Sequence, residues 1–263
     1  MKLSASAVWD ATADFLRRHG GLVFTVALAF FALPQILATP FTGGMQATTV
    51  TLEQAQAQAL RASPILLLLV LVSIVGQLAI YTLVLRPGSS VGEAIGHGFR
   101  RFLPAVGVAA LLLLAGILFS IPVTALSYGA AQTGNRLLAI VGLLLFPIAL
   151  YLVLRVFAAQ VAVADGHAPI DAFRRSWALT RGNVGRIFLL FLLAGVVGFI
   201  IILAINFVLG SLLLLVGNAL GGPGTGPLLV AILSSLVSAL ITAVLLVLLA
   251  QIYRQLSGAT AGA

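Results

Sequence analysis

The sequence predicts an all-α, polytopic membrane protein: six transmembrane helices joined on one side by short amphipathic interfacial helices. Three observations predict it. There are too few charges to cover a globule, six apolar runs are long enough to cross a bilayer, and the arginines gather in alternate connections. Of 263 residues, 61% are hydrophobic and 8% are charged, with a mean hydropathy of +1.20. A soluble domain carries about 25% charged residues, so the surplus apolar surface must face lipid.

A span needs roughly 20 apolar residues to cross a hydrocarbon core of about 30 Å. Residues 22–38, 64–85, 102–126, 137–154, 187–208 and 227–253 meet that demand, and one membrane domain covers 1–263. The first run is expected to be retained as a span: the segment before it holds Asp10 and Asp14, which a signal-peptide n-region avoids. A polar, helix-prone stretch at 51–62 precedes the second, bracketed by Gly43-Gly44 and Pro64. Residues 127–136 make a short connection between the third and fourth. The fifth run stays apolar to Gly217, so it must tilt or break near 206–210. A Gly221-Gly222-Pro223-Gly224 turn leads into the sixth, and Pro34, Pro122 and Pro147 fall inside spans as tolerated kinks.

Orientation follows from the basic residues of the short loops. With the N-terminus in the cytoplasm, Lys2, Arg17, Arg18, Arg86, Arg100, Arg101, Arg155, Arg174, Arg175, Arg181, Arg186 and Arg254 are all cytoplasmic. Arg61 and Arg136 are external. The expectation is a bacterial inner membrane with both termini cytoplasmic. The net charge of +8 is then topology and lipid attraction, not nucleic-acid binding, because the charges cap apolar runs and form no continuous patch. With no cysteine, disulfides, thiolate catalysis and Cys-based metal sites are excluded.

One construction unit recurs three times: an amphipathic segment, a basic cluster, then an apolar hairpin. Residues 10–18 align without gaps on 93–101, and Asp171-Ala172 opens the third copy. Ser90 and Glu93 form an S-x-x-E capping box, and Pro169 suits a first helical turn. Ile170, Phe173 and Trp177 share one face, as do Val8, Thr12 and Phe15. Asp14 can pair with Arg17 or Arg18, and Asp171 with Arg174 or Arg175. Such helices lie in the headgroup layer with arginines toward phosphates.

Leu154-Arg155, Val163-Ala164-Asp165-Gly166, Pro169 and the run Ala172-Phe173-Arg174-Arg175-Ser176-Trp177-Ala178-Leu179-Thr180-Arg181-Gly182-Asn183 carry a likeness. Together they resemble the signature of the membrane domain of glycerophosphoryl diester phosphodiesterase and its stand-alone six-span relatives. The resemblance implies a six-span plan. Catalysis in those phosphodiesterases belongs to a separate soluble barrel, which these residues do not hold, so the activity is not carried over.

The candidate interface residues are Arg17, Arg18, Arg100, Arg101, Arg155, Arg174, Arg175, Trp177, Arg181 and Arg186. Arg155 follows about 18 apolar residues; it snorkels to the interface, or pairs with Asp165 or Asp171, or meets an anionic ligand. Gly182 and Asn183 suit an elbow, the glycine ending one helix and the asparagine capping the next. His19, His97 and His167 are read as separate interface histidines rather than a metal site, and no cofactor is expected. Gln77, Gln160, Asn206, Ser234, Ser235 and Ser238 are the notable polar groups in or beside spans. No span carries a mid-membrane carboxylate, and no nucleophile or acid–base motif is present, so an enzyme is not expected.

The functional expectation is a scaffold, assembly partner or lipid-organising factor whose basic face binds anionic headgroups. A membrane-protein partner or a second copy of the chain is the other expected contact. The alternative is a transporter or lipid flippase built on kinked helices, which would need a polar cavity lined by Gln77, Asn206 or Arg155.

Overall fold

The computed structural model describes residues 4–42, 52–222 and 224–260. Among them every element is helical: α1 (Ala5–Ala27), α2 (Leu33–Thr42), α3 (Leu52–Leu85), α4 (Val91–Arg100), α5 (Phe102–Thr133), α6 (Arg136–Val156), α7 (Ala159–Ala164), α8 (Pro169–Thr180), α9 (Val184–Ile205), α10 (Ser211–Gly221) and α11 (Thr225–Thr260). π-helical turns at Leu28–Ala32 and Asn206–Gly210 join α1 to α2 and α9 to α10. Lys2, Gly43, Gly44, Thr51 and Pro223 lie outside the described residues.

Six helical stretches are long and apolar enough to cross a membrane, and the chain is a multi-pass membrane protein. They are Ala5–Thr39, Leu60–Leu85, Phe102–Thr133, Arg136–Ala164, Val184–Gly221 and Thr225–Gly258, each longer than its apolar run in the sequence. The reason is local. In lipid, an interrupted helix leaves backbone groups with no partner, so a helix that has started runs on past its apolar core. The stretch 184–221 does not break at 206–210 but widens there by one π turn. The Asn206 side-chain amide donates to Ile202 O across that turn, and its oxygen accepts from Ser234 of α11. Pro64 likewise leaves α3 unbroken. A proline at 64 deprives the Leu60 carbonyl of its usual donor, and the Ser63 hydroxyl replaces it at 2.8 Å.

The proposed repeat is realised unequally. In the second and third copies the amphipathic segment is a helix of its own, α4 or α8. It is set off from the following span at Arg101 or at 181–183. In the first copy, residues 10–18 continue into the span as α1, with no break at Gly20-Gly21. The difference has a physical cause. Gly182 has φ +80 and turns the chain, and Pro104 occupies the first turn of α5; residues 18–21 offer neither a positive φ nor a proline.

The buried core collects at the arginine-rich end. Leu78, Ile80, Tyr81 and Val84 of α3, all of α7 except Gln160, Ile187 of α9, and Val247, Ile252 and Tyr253 of α11 meet there. Away from it, α5, α6, α9 and α10 expose Leu113, Leu143, Phe146, Phe199 and Leu215. Water would penalise that surface by about 25 cal/mol per Å²; hydrocarbon does not.

Helix α4 begins as its sequence predicts. The Ser90 amide donates to the Glu93 carboxylate at 2.8 Å, and the Ser90 hydroxyl accepts from the Glu93 amide. Those bonds, the backbone one first, hold the Glu93 carboxyl below the usual carboxylate range. A lowered folded pKa stabilises fully above the unfolded value, about 4.3, and the contribution fades as pH falls through the folded value. Hydrogen exchange at residues 91–94 should therefore lose protection as pH falls below about 4. Glu93→Gln should remove that pH dependence, and an unchanged profile in the variant would contradict this account of the cap.

Candidate functional site

Helix α7 is the centre of the arginine-rich end. Its sequence, Ala-Gln-Val-Ala-Val-Ala, is small and apolar enough for α3, α5, α8 and α11 to close around it. Six residues cannot satisfy their own terminal carbonyls, so the surroundings must. Asp165 N–H donates to Val161 O, Gly166 N–H to Val163 O, and His167 N–H to Ala162 O. The His97 ring, from α4, donates through Nε2 to Ala164 O at 3.0 Å. Gly166 closes this cap at φ +116, and a Cβ there would stand 3.3 Å from the Arg101 guanidinium.

At the other end of α7, Ser176 enters the gap between α6 and α7. Its hydroxyl donates to Arg155 O at 2.8 Å and accepts from Ala158 N–H at 3.2 Å. Both backbone groups lost their helical partners when α6 ended. Thr180, one turn on, donates to Ser176 O at 2.9 Å, and both side chains are fully buried. Sequence reasoning quoted Ser176 inside the elbow run but gave it no role. The signal was a pair of hydroxyls one turn apart, Ser176 and Thr180, on the face of α8 that carries Ala172.

Arg155 does not pair with Asp165 or Asp171. Its Nε donates to the Tyr151 hydroxyl and its Nη1 to Trp177 O, each at 2.9 Å. The guanidinium lies 4.4 Å from the Trp177 ring centroid and 5.4 Å from that of Tyr151. Aromatic faces and a carbonyl satisfy it without a carboxylate. Asp165 instead accepts from the Tyr253 hydroxyl of α11 at 2.8 Å, and Tyr253 accepts from Arg175 Nε at 2.8 Å. Asp171 stays on its own helix, 3.9 Å from Arg174.

The remaining expected residues divide by exposure. Arg18 pairs with Asp14 at 3.2 Å on α1. Arg17, Arg100, Arg101 and Arg181 have no carboxylate within ion-pair distance among the described residues. Arg186 opens α9 beside the elbow. Phe99, Leu103, Ile170 and Trp177 stand exposed next to these arginines, at 62%, 79%, 63% and 43% of their surface. Ile170 and Trp177 of α8 are thus exposed, while Phe173, on the same face by spacing, is half-buried against the core and Ala172, Ser176 and Thr180 face in.

The elbow works through backbone. Gly182 has φ +80 with open space around its Cβ position, so conformation and not room selects glycine. Asn183 starts α9 by its carbonyl, which accepts from Arg186 N–H and Ile187 N–H; its side chain makes no cap bond to the helix amides. Gly182→Ala should cost about 1 kcal/mol for a left-handed alanine. Thermal unfolding in mild detergent would show it, and an unshifted midpoint would contradict the assignment.

Two of the three histidines, His97 and His167, meet carbonyls at the end of α7, and His19 lies apart on α1. His19 stacks on Phe15, His97 links Arg86 to Ala164, and His167 bonds Ala162 O. No cluster able to hold a metal occurs among the described residues. Gln160 donates to Ala105 O across α5 and α7, another inter-helix tie.

A family model described as Domain of unknown function (DUF7847) matches residues 5–256. No curated protein and no solved structure matches the chain. The matched residues take in the first five spans, the sixth as far as Leu256 and the arginine-rich end, and the chain belongs to the DUF7847 family.

Proposed function

We propose that this protein is a non-catalytic, lipid-organising or scaffolding protein of a bacterial inner membrane, with its arginine-rich end and both termini in the cytoplasm. One observation carries the reading: exposed Phe99, Leu103, Ile170 and Trp177 alternate along the chain with exposed Arg100, Arg174 and Arg181, at the α4–α5 junction and through α8. Exposed apolar side chains beside cations suit the boundary between acyl chains and phosphates. Each cation near an anionic surface adds about 1 kcal/mol of attraction. The positive-inside bias supports the orientation. The likeness to the phosphodiesterase membrane domain supports a membrane-domain role without hydrolysis, because it is carried by the residues that clasp α7 and form the elbow.

A second reading has its own observation. A cavity of about 450 Å³ opens between α2, α3 and α11, with Gln35, Ser73, Ser238 and Thr242 in its wall beside Pro34. The π turn at Leu28–Ala32 borders it through Phe30 and Phe31. This favours a transporter over an enzyme, although the expected lining residues Gln77, Asn206 and Arg155 are not among its walls.

The test is lipid selection in nanodiscs made from equal phosphatidylglycerol and phosphatidylcholine. The reading expects the anionic lipid to be enriched around the protein, and Arg100→Gln/Arg174→Gln/Arg181→Gln to abolish most of the enrichment. An unbiased lipid shell around the unaltered protein overturns it. Substrate flux in sealed vesicles would move support to the transporter.

A further inference from the structure

We infer that the cleft between the end of α3 and α4 is a discrete phosphate-binding site; this deepens the headgroup reading above and rests on it for its setting. The cleft has a volume of about 390 Å³ and is walled by Arg86, Ser89, Glu93, Gly96, His97 and Arg100. Its cations come from two elements: Arg86 just past the end of α3, and Arg100 at the last turn of α4. Two guanidiniums facing one cleft offer the planar donor pairs that phosphate oxygens accept.

His97 holds the arrangement. Its Nε2 must donate, because the Ala164 partner is a carbonyl oxygen, so in the neutral ring Nδ1 is the acceptor. Arg86 Nη1 lies 3.4 Å from that Nδ1. One Arg86 nitrogen is therefore tethered, and its other N–H groups are left for a ligand. The carboxylate in the wall, Glu93, is bonded to the Ser90 amide at 2.8 Å and caps α4. With Arg86 and Arg100 at +2 and Glu93 at −1, the wall is net cationic.

The cleft is also kept open. Gly96 faces it, and a Cβ built there meets nothing within 4 Å. A helix interior normally prefers alanine to glycine by about 1 kcal/mol; here glycine instead leaves the cleft clear. The phosphate could come from a lipid headgroup or from solution, and the chemistry of the wall suits either.

The experiment uses the full chain in mild detergent, titrated calorimetrically with three probes: inorganic phosphate, dihexanoyl phosphatidic acid, and dihexanoyl phosphatidylcholine. Saturable binding of phosphatidic acid alone makes a headgroup the ligand. Saturable binding of inorganic phosphate as well makes free phosphate sufficient. Either supports the site, provided Arg86→Gln/Arg100→Gln weakens binding at least tenfold. Gly96→Leu is the second variant: it should fill the cleft and weaken binding equally, while raising helix propensity and leaving the fold intact. The site is overturned if neither phosphate probe binds, if phosphatidylcholine binds as well as phosphatidic acid, or if both variants bind like the unaltered protein. Enrichment of phosphatidylglycerol in nanodiscs is read separately. Its survival alongside failed titrations removes the cleft and keeps the headgroup reading; its absence removes that reading, whatever the titrations give.

Discussion

Ser176→Ala should destabilise the protein by about 3 kcal/mol. The side chain is fully buried, and its hydroxyl occupies both Arg155 O and Ala158 N–H. Alanine fits the space but leaves a buried donor and a buried acceptor unmet, at about 1–3 kcal/mol each. Thr180, at 3.5 Å from Arg155 O, recovers part of the acceptor and none of the donor. Unfolding in mixed detergent, followed by helicity, would measure the loss. Ser89→Ala is the control, since Ser89 bonds only the carbonyl of Arg86 in its own turn. A Ser176 loss no larger than the Ser89 loss would refute the bridging role.

Arg155→Ala should cost about 2–3 kcal/mol, from one hydrogen bond to a carbonyl worth about 1.5–3 kcal/mol and ring contacts worth about 0.5–2 kcal/mol. Those terms overlap, so they do not add in full. Arg155→Lys should recover less than half, because an ammonium cannot stack between two rings while donating from a planar fork. The chain has two tryptophans, so Trp9→Phe leaves Trp177 as the reporter. In that background, Arg155→Ala should shift Trp177 emission, since the guanidinium lies 4.4 Å from its ring centroid. Unchanged emission with unchanged stability would show the clasp to be idle.

The spans were legible because apolar length is a property of the sequence alone. So were the Ser90–Glu93 box, Pro169 at the start of α8, and the Gly182 turn, each written within four residues. The π turn at 206–210 was foreseen as a place but not as a kind: a length surplus says that the helix must yield, not how. What stayed hidden is what depends on distance along the chain. Asp165 and Tyr253 are 88 residues apart, and nothing local in either marks the other. Arg155 was read as snorkelling to the interface, pairing with Asp165 or Asp171, or meeting an anionic ligand, because charge is what a sequence displays; the Tyr151 and Trp177 rings and the Trp177 carbonyl, assembled by folding, are the partners it has. The continuity of α1 was missed for the opposite reason. The likeness between units suggested a break, which Gly20-Gly21 would permit, while no proline stands near it to enforce one.

The account depends most on six crossings that keep the arginine-rich end on one side of the bilayer. The chain has no cysteine, so single-cysteine variants report cleanly on sidedness. Arg100→Cys, Arg174→Cys and Arg136→Cys would be exposed to a membrane-impermeant maleimide in right-side-out and in inverted vesicles. The first two should label only in inverted vesicles and the third only in right-side-out ones. Labelling of positions 100 and 174 from opposite faces would contradict the fold's placement in the membrane, and with it every functional reading built on that end.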